Sequence, residues 1–395
     1  MKKKVPILIN EVSGEARTDE ADVLIQAEAV RGSLEHLGYE TVTVPFAEKE
    51  RSDGLKKILA GPGIKAVFNL VESVRDESAL QYLAPLFLEE MGVPFTGNSA
   101  KALRRTTDKI LAKRIMNLAG IPTPRYLSFA MRSRVARTSK KGPLKQWIFK
   151  PVQEDASVGI LEELIGPYRE REALEILSRL EGETGMSYMA EEFIEGREFN
   201  ISLIESAGSP AVLPPVEQDF SLLPPSSPRV VGYRAKWVED SMEYSSIPRR
   251  YAFDAADGAL LERIRQIAMN CWKVFGLSGY ARVDLRVDGR GRVFVLEINA
   301  NPCLSPEAGF AFAAGLAGLS MDDLVLFILD AAALKTRSGR TPRQGNNPCS
   351  GYAGSSIQQP HRTGRHSIRS SEFWKASSRA WIRPTSAGSR ISSLI

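Results

Sequence analysis

The residues most able to do chemistry in this 395-residue chain are gathered in Ala281-Arg-Val-Asp-Leu-Arg-Val-Asp-Gly-Arg-Gly-Arg-Val-Phe-Val-Leu-Glu-Ile-Asn-Ala-Asn-Pro302. Apolar and polar residues alternate on both sides of Asp288-Gly-Arg-Gly291, which predicts two antiparallel strands joined by a tight turn. Side chains of a strand alternate between faces, so Arg282 shares a face with Asp284, and Glu297 with Asn299. A short loop predicts Arg282 opposite Glu297 and Asp284 opposite Val295. Asp284 and Glu297 then become diagonal neighbours about 7–8 Å apart. Val283, Leu285, Phe294 and Leu296 are expected on the opposite, core face. Two carboxylates and an amide oxygen so placed can hold one or two hard cations, with water and phosphate oxygens completing the shell. From the hairpin alone, a cation site and a solvated polar face remain alternatives.

Two other segments carry charge where charge is costly. Lys150 ends the apolar run Trp-Ile-Phe-Lys-Pro, a place for an ammonium only at the edge of a cleft. The polar loop that follows, through Gly159, offers backbone N–H groups that could fold over phosphates. Glu191-Glu-Phe-Ile-Glu-Gly-Arg-Glu198 sets acids beside an apolar pair. This suits a strand edge that reads a purine, with a carboxylate for ribose hydroxyls. It suits an acidic surface turn equally well.

Several classes are excluded. The three histidines, His36, His361 and His366, form no HExxH, and the three cysteines, Cys271, Cys303 and Cys349, show no CxxC. Neither GxxxxGK[ST] nor GxGxxG occurs. The longest uncharged apolar stretch, 308–319, falls well short of the roughly 20 residues that a membrane-spanning helix needs. The apolar run after Met1-Lys-Lys-Lys4 is too short for a signal peptide, so a reducing cytoplasmic setting without a membrane is expected. The net charge of +5 is unevenly spread: residues 336–395 carry ten Lys/Arg and one acid, Glu372. That segment has 13 serines and seven Leu/Ile/Val/Phe, too few apolar groups to offset ordering entropy, and is expected to be disordered. Its aromatics and basic residues do not alternate as a stacking surface requires, which argues against nucleic acid as a partner.

The elements that must position these residues follow from periodicity. Strands over 5–9, 41–44 and 66–69 alternate with helices over 20–37, 55–60 and 79–91, as in parallel βαβ units. A helix over 108–119 stops at Gly120-Ile-Pro-Thr-Pro124. The basic stretch 132–145 reads as a surface loop. Strands over 147–150, 188–192 and 198–204 and a helix over 170–180 come next, then a proline-rich irregular region to about Pro248. Helices over 256–275 and 321–334 flank the hairpin. The expected fold class is thus mixed α/β and α+β.

Taken in order, these motifs resemble an ATP-grasp ligase, most closely the D-alanine–D-alanine ligase branch. The matching residues are Pro94-Phe-Thr-Gly97, Thr107-Asp-Lys109 with Gly120-Ile-Pro-Thr-Pro124, and Phe149-Lys-Pro151 with Ala156-Ser157-Val-Gly159. Further on are Glu191-Glu-Phe-Ile-Glu-Gly-Arg-Glu-Phe199, Ala235-Lys236, Arg282-Val-Asp284 and Leu296-Glu-Ile-Asn-Ala-Asn-Pro302. The resemblance covers residues 1 to about 335. It implies an N-terminal open α/β domain (1–105), a central lobe (106–187), a C-terminal lobe with the metal site (188–335) and the basic tail (336–395).

The resemblance also implies roles. Lys109, Lys150 and the loop residue Ser157 would meet ATP phosphates, and Lys236 would approach the γ-phosphate. The edge Glu191, Glu192 and Ile194 would meet adenine, Leu296 would pack on it, and Glu198 would bind ribose. Asp284, Glu297 and Asn299 would hold two Mg²⁺ ions, or Mn²⁺ in their place. Arg282, Lys150 and Lys236 would be catalytic, Arg282 stabilising a tetrahedral oxyanion. The partners implied are small amino-acid or carboxylate substrates, and a homodimer is compatible with the family. The implied reaction is an ATP- and Mg²⁺-dependent carboxylate–amine ligation through an acyl phosphate. A different carboxylate and amine pair, or a nucleotide-binding module without catalysis, are the competing readings.

This chain departs from the family pattern at Asn69-Leu-Val-Glu-Ser-Val-Arg-Asp-Glu77, which replaces a glycine-rich HGxxGEDG segment. It departs again at Ala156 (serine in the family), Trp237 (tyrosine), Cys303 (glycine) and Ala308 (serine). By the resemblance these changes cluster on the amino-acid side. The nucleotide motifs are kept.

Overall fold

The computed structural model describes residues 3–11, 18–46, 52–131, 142–154, 157, 159–238 and 240–338. Most of the basic loop, Ala156, the Trp237 side chain and residues 339–395 of the tail lie outside the described residues.

Three sheets organise the chain. The first holds β1 (Lys4–Asn10), β2 (Glu40–Phe46) and β3 (Phe68–Asn69), parallel and in the order β2-β1-β3. β1 is central and buried on both faces, which is why it reads as a continuous apolar run rather than an alternating one. The helices Thr18–His36, Ser52–Leu59 and Leu83–Glu90 are the crossovers and cover of this unit. The turn Pro94–Gly97 makes a close contact between distant segments. Gly97 has φ +81°, and a Cβ at Gly279 would lie 3.1 Å from the Gly97 Cα. The two segments touch there through glycine because nothing larger fits. Beside them the Asn98 amide donates to the Tyr280 (2.8 Å) and Ala300 (2.6 Å) carbonyls, tying this unit to both ends of the hairpin.

The second sheet is antiparallel, with β4 (Tyr126–Ser128), β5 (Lys145–Pro151), β6 (Gly166–Tyr168) and β7 (Tyr188–Glu192) in the order β4-β7-β5-β6. Its helix, Glu170–Thr184, buries Ala173, Leu174, Leu177 and Leu180 against Trp147, Phe149 and Ala190, an i, i+1, i+4, i+7 stripe. The helix ends at Gly185 in the left-handed conformation, which glycine adopts without a Cβ penalty.

The third sheet carries β8 (Gly196–Ser206), β9 (Ser209–Val212), β10 (Val216–Gln218), β11 (Arg249–Arg250), β12 (Tyr280–Asp288) and β13 (Val293–Asn299). The order is β11-β10-β8-β12-β13, with β9 paired to β8. Its inner face, including Phe199, Ile201, Leu203, Val283, Leu285, Val295 and Ile298, packs on the helix Gly258–Phe275 through Leu261, Ile264, Ala268 and Phe275. At about 1.5–3 kcal/mol for each large side chain buried, this layer holds the hairpin rigid.

Three expectations are corrected. The proline-rich region after 206 is not irregular throughout: it contains β9, β10 and the short helices Tyr233–Trp237 and Met242–Ser245, whose polar, proline-broken sequence hides them from periodicity. The helix Met321–Ser338 runs past residue 336, where the basic tail was expected to start, and with Gly309–Leu316 it shares a core with β1 of the first sheet. The hairpin register also differs. Asp284 stands directly opposite Glu297, and Arg282 opposite Asn299, because a β-bulge falls between Asp284 and Leu285. Leu296 is the extra residue of the bulge and has no partner of its own, so Leu296 and Glu297 both leave the core face while Val295 and Ile298 stay in it. Phe294 is likewise only half-buried and is absent from that core. Among the described residues no single helix is long and apolar enough to cross a membrane.

Candidate active site

The bulge brings the acids together. Arg282 donates from Nε to Asp284 Oδ1 and from a terminal nitrogen to Oδ2, both at 2.8 Å. Asn200 on β8 donates to Asp284 Oδ1 at 2.7 Å, and Gln218 on β10 donates to the Asn200 side-chain oxygen. The Asn299 amide reaches Asp284 Oδ2 at 3.0 Å and Glu297 Oε1 at 3.4 Å. A positive end thus sits between two carboxylates from adjacent strands. Turning that amide over would present its oxygen instead. Two carboxylates and one amide can serve a hard cation, although among the described residues no three His, Cys, Asp or Glu side chains gather to hold a metal by themselves. Water and substrate oxygens must complete such a shell.

Glu297 is the electrostatic centre. Burial opposes its ionisation, but Lys109, Lys236, Lys150 and Arg282 together outweigh that and hold its carboxyl down at about 2. Each cation comes from a different element. Lys109 opens the helix Lys109–Leu118, capped by the Asp108 carboxylate on the Leu111 N–H at 2.8 Å, and its ammonium donates to the Glu154 carbonyl. Lys150 leaves β5 and pairs with Glu191 Oε1 of β7 at 2.8 Å. Burial works against the Lys150 charge, yet Glu191 and Glu297 raise its pKa. Lys236, on Tyr233–Trp237, shifts the other way: burial and then Arg282 lower it, only partly offset by Glu297, Asp284 and Glu198. An ammonium in that position gains from an added anion.

The other expected residues fall into two groups. Glu198 faces the site from β8, 8% exposed, and accepts from Arg286 Nε at 2.9 Å. Leu296 lies half-buried at the bulge. Ile194 contributes its carbonyl to Arg286 at 3.1 Å. The Ser157 hydroxyl, in a loop residue with φ +66°, donates to the Val231 carbonyl at 2.9 Å, linking that loop to the segment leading to Lys236. Glu192 is not drawn inward; its carboxylate pairs with Lys145 at 2.8 Å. Glu191 is drawn in further than a strand edge requires. At 1% exposure it is ion-paired with both Lys150 and Lys113. Burial raises its pKa, and the two lysines more than reverse this.

Lys113, Asn200, Gln218 and Arg286 escaped the sequence reading. Lys113 could have been found, because it lies four residues after Lys109, on the same face of one helix. Its ammonium also donates to Thr123 Oγ1 at 2.9 Å, and Thr123 in turn donates to the Val295 carbonyl at 2.8 Å, which explains why Gly120-Ile-Pro-Thr-Pro124 docks on β13. Asn200 follows Glu198 at the two-residue strand spacing, and Arg286 follows Asp284 likewise.

Near Arg282, whose charge Cys303 influences, lies a second cluster. The Cys303 thiol donates to Asp22 Oδ2 at 2.8 Å, the Ser305 hydroxyl to Asp22 Oδ1 at 2.6 Å, and the Gln26 amide to Glu72 Oε1 at 2.7 Å. Burial, then Glu72 and Asp22, push the Cys303 thiol well up, so it is a neutral hydrogen-bonding group. Ala308 begins the helix Gly309–Leu316 at the N-cap, without a side-chain cap.

Two antiparallel sheets, with Lys150 of the first and lysines of two nearby helices converging on carboxylates of the second, define an ATP-grasp architecture. Comparison with known proteins agrees. The family model described as D-ala D-ala ligase C-terminus matches residues 115–330. An uncharacterized protein of Sinorhizobium fredii is 30% identical over 310 residues, 78% of this chain and 87% of that protein. The D-alanine–D-alanine ligase of Bordetella pertussis is 28% identical over 327 residues, 82% of this chain and 94% of that one. Among solved structures, the D-alanine–D-alanine ligase of Bacillus anthracis complexed with ATP superposes with a TM-score of 0.62 at 19% identity, covering 85% of this chain and 99% of that one. The chain belongs to the D-alanine–D-alanine ligase family of ATP-dependent, C–N-bond-forming ligases.

Proposed function

We propose that this protein joins a carboxylate to an amine, most simply two amino acids, at the expense of ATP in the cytoplasm. The observation that carries this reading is the convergence of Lys109, Lys150, Lys236 and Arg282 on Glu297, from four separate elements. So many cations around one carboxylate suit a polyphosphate.

Lys109, Lys150 and Lys236 neutralise phosphate oxygens, and the polar loop with Ser157 closes over them. The 191–198 edge and Leu296 take the base, and Glu198 takes the ribose. Asp284, Glu297 and Asn299 would hold Mg²⁺, which supplies charge neutralisation and alignment of the transferring phosphate. An oxygen of the substrate carboxylate attacks the γ-phosphorus and ADP leaves, giving an acyl phosphate. The amine then attacks the acyl carbon, the oxyanion is met by Arg282, and phosphate departs as the amine loses a proton. Arg282 is fixed for this role by its two bonds to Asp284.

The second substrate is where this chain differs from its relatives. With Cys303 and Ala308 in place of glycine and serine, and with Asp22 and Glu72 nearby, the cluster offers acids and a thiol rather than a grip for a carboxylate. We therefore propose weak use of D-alanine, with a different amine preferred. Phosphate release from ATP and Mg²⁺ across a panel of D- and L-amino acids tests both parts. Release with no member of the panel would remove the ligase reading. A kcat/KM for D-alanine near or above about 10⁴ M⁻¹s⁻¹, typical of efficient enzymes, would remove the substrate reading alone.

A further inference from the structure

Among the described residues of β12 that face the site, Arg286 is left without a role by the proposed chemistry. It is 2% exposed and stands in register with Glu198 on the neighbouring strand. Its guanidinium is fully engaged. Nε reaches Glu198 Oε2 at 2.9 Å and one terminal nitrogen reaches the same oxygen at 2.8 Å while also donating to the Arg229 carbonyl. The other terminal nitrogen donates to the Ile194 carbonyl at 3.1 Å. The rings of Phe193 and Phe220 lie against it with centroids 5.2 and 5.1 Å away, so the cation packs on two aromatic faces.

These contacts have two effects. Both short bonds to the carboxylate fall on Oε2, so Glu198 is pinned in one orientation with Oε1 making no hydrogen bond or ion pair among the described residues. A carboxylate held by one oxygen presents the other without rotamer entropy to lose, which favours a ligand that donates to it. The same guanidinium also stitches the edge around Ile194 to the segment through Phe220 and Arg229 that continues to Lys236. An arginine is required for this, because a lysine has no planar fork.

We infer that Arg286 is a positioning residue for the nucleotide, acting through Glu198 to select nucleoside phosphates with an intact 2′,3′-diol. The inference rests on the assignment of the 191–198 edge to the nucleotide and of Glu198 to the ribose, and it adds a positioning residue, Arg286, that this assignment does not contain.

The test is calorimetric binding of ADP and of 2′,3′-dideoxy-ADP, each with Mg²⁺, to the full-length protein and to Arg286→Met, Arg286→Lys and Glu198→Gln. The unmodified protein should bind ADP about tenfold or more tightly than the dideoxy nucleotide, as losing hydrogen bonds to a charged group implies. Arg286→Met should weaken ADP by about tenfold and the dideoxy nucleotide by less than twofold, and Glu198→Gln should repeat that pattern with Arg286 in place. Arg286→Lys should fall between, since it keeps the charge but not the fork. Circular dichroism establishes that each variant is folded, and the lysine and Glu198→Gln variants decide the matter if the methionine variant is not. Equal weakening of both nucleotides would show a purely structural arginine and overturn the inference while leaving the nucleotide site standing. Failure of the unmodified protein to bind either nucleotide would overturn both.

Discussion

At the end of the site assigned to phosphates, four cations surround one ionised carboxylate, Glu297, and two of them, Lys150 and Arg282, are also ion-paired with Glu191 and Asp284. At the other end Asp22 accepts from a neutral thiol and a hydroxyl, and Glu72 from an amide. The first arrangement is stiff and long-range: each cation comes from a different element, and moving one unbalances the rest. The second joins equally distant segments, but through hydrogen bonds from neutral donors to Asp22 and Glu72. This difference fits the proposal that the motifs resembling the family lie at the first end and the departures at the second. A charge network tolerates little substitution, whereas the neutral donors around Asp22 and Glu72 can be exchanged singly to suit another amine.

Breaking the network should have the largest effect. Glu297→Gln or Asp284→Asn should lower ATP-dependent phosphate release by about 10²–10³ or more with the protein still folded. Near-normal release in either variant would mean that the convergence on β12 and β13 is structural only.

Lys113→Met separates catalysis from scaffold. It leaves the buried Glu191 paired with Lys150 alone, and breaking buried pairs of this kind costs about 3–5 kcal/mol. Urea unfolding should show a loss of that order. A much smaller loss would place the carboxylate in a wetter setting than its 1% exposure implies.

Acid sharpens the contrast further. The folded pKa of Glu297 is about 2 against an ordinary 4.5, so its contribution to stability is complete above about pH 4.5 and is lost as pH falls towards 2. Glu191 is shifted in the same direction. Between pH 5 and pH 3 the unmodified protein should lose more stability in urea than Glu297→Gln does. Parallel curves for the two proteins would contradict the electrostatic account of this end.

The smallest effect is expected at the end around Asp22 and Cys303. Ala308→Ser places a hydroxyl at the N-cap of Gly309–Leu316, where the extended backbone already suits a capping serine. Stability should rise by about 0.5–1 kcal/mol, the Kd for ADP should stay within twofold, and the KM for D-alanine should fall. A change in nucleotide affinity instead would show that the two ends are coupled.

Much of this protein is decided by local sequence. The alternation in 280–287 and 292–299, the 3.6-residue stripe of Gly258–Phe275 and the stop at Gly120-Ile-Pro-Thr-Pro124 act over a few residues, so they are legible without any fold. The residue types of the site, Arg282, Asp284, Glu297, Asn299, Lys109, Lys150 and Lys236, were legible for the same reason, as was the family they resemble. Register was not. The bulge that sets Asp284 against Glu297, and brings Leu296 out of the core, follows from how β12 is held by β8 on one side and how β13 is held by Pro122 and Thr123 on the other. Nor was the pairing of Glu191, which owes its state to Lys113 and Lys150 arriving from a helix and a strand far earlier in the chain. Burial removes the water that would otherwise screen such charges, and only the packed tertiary structure determines which of them are left facing one another.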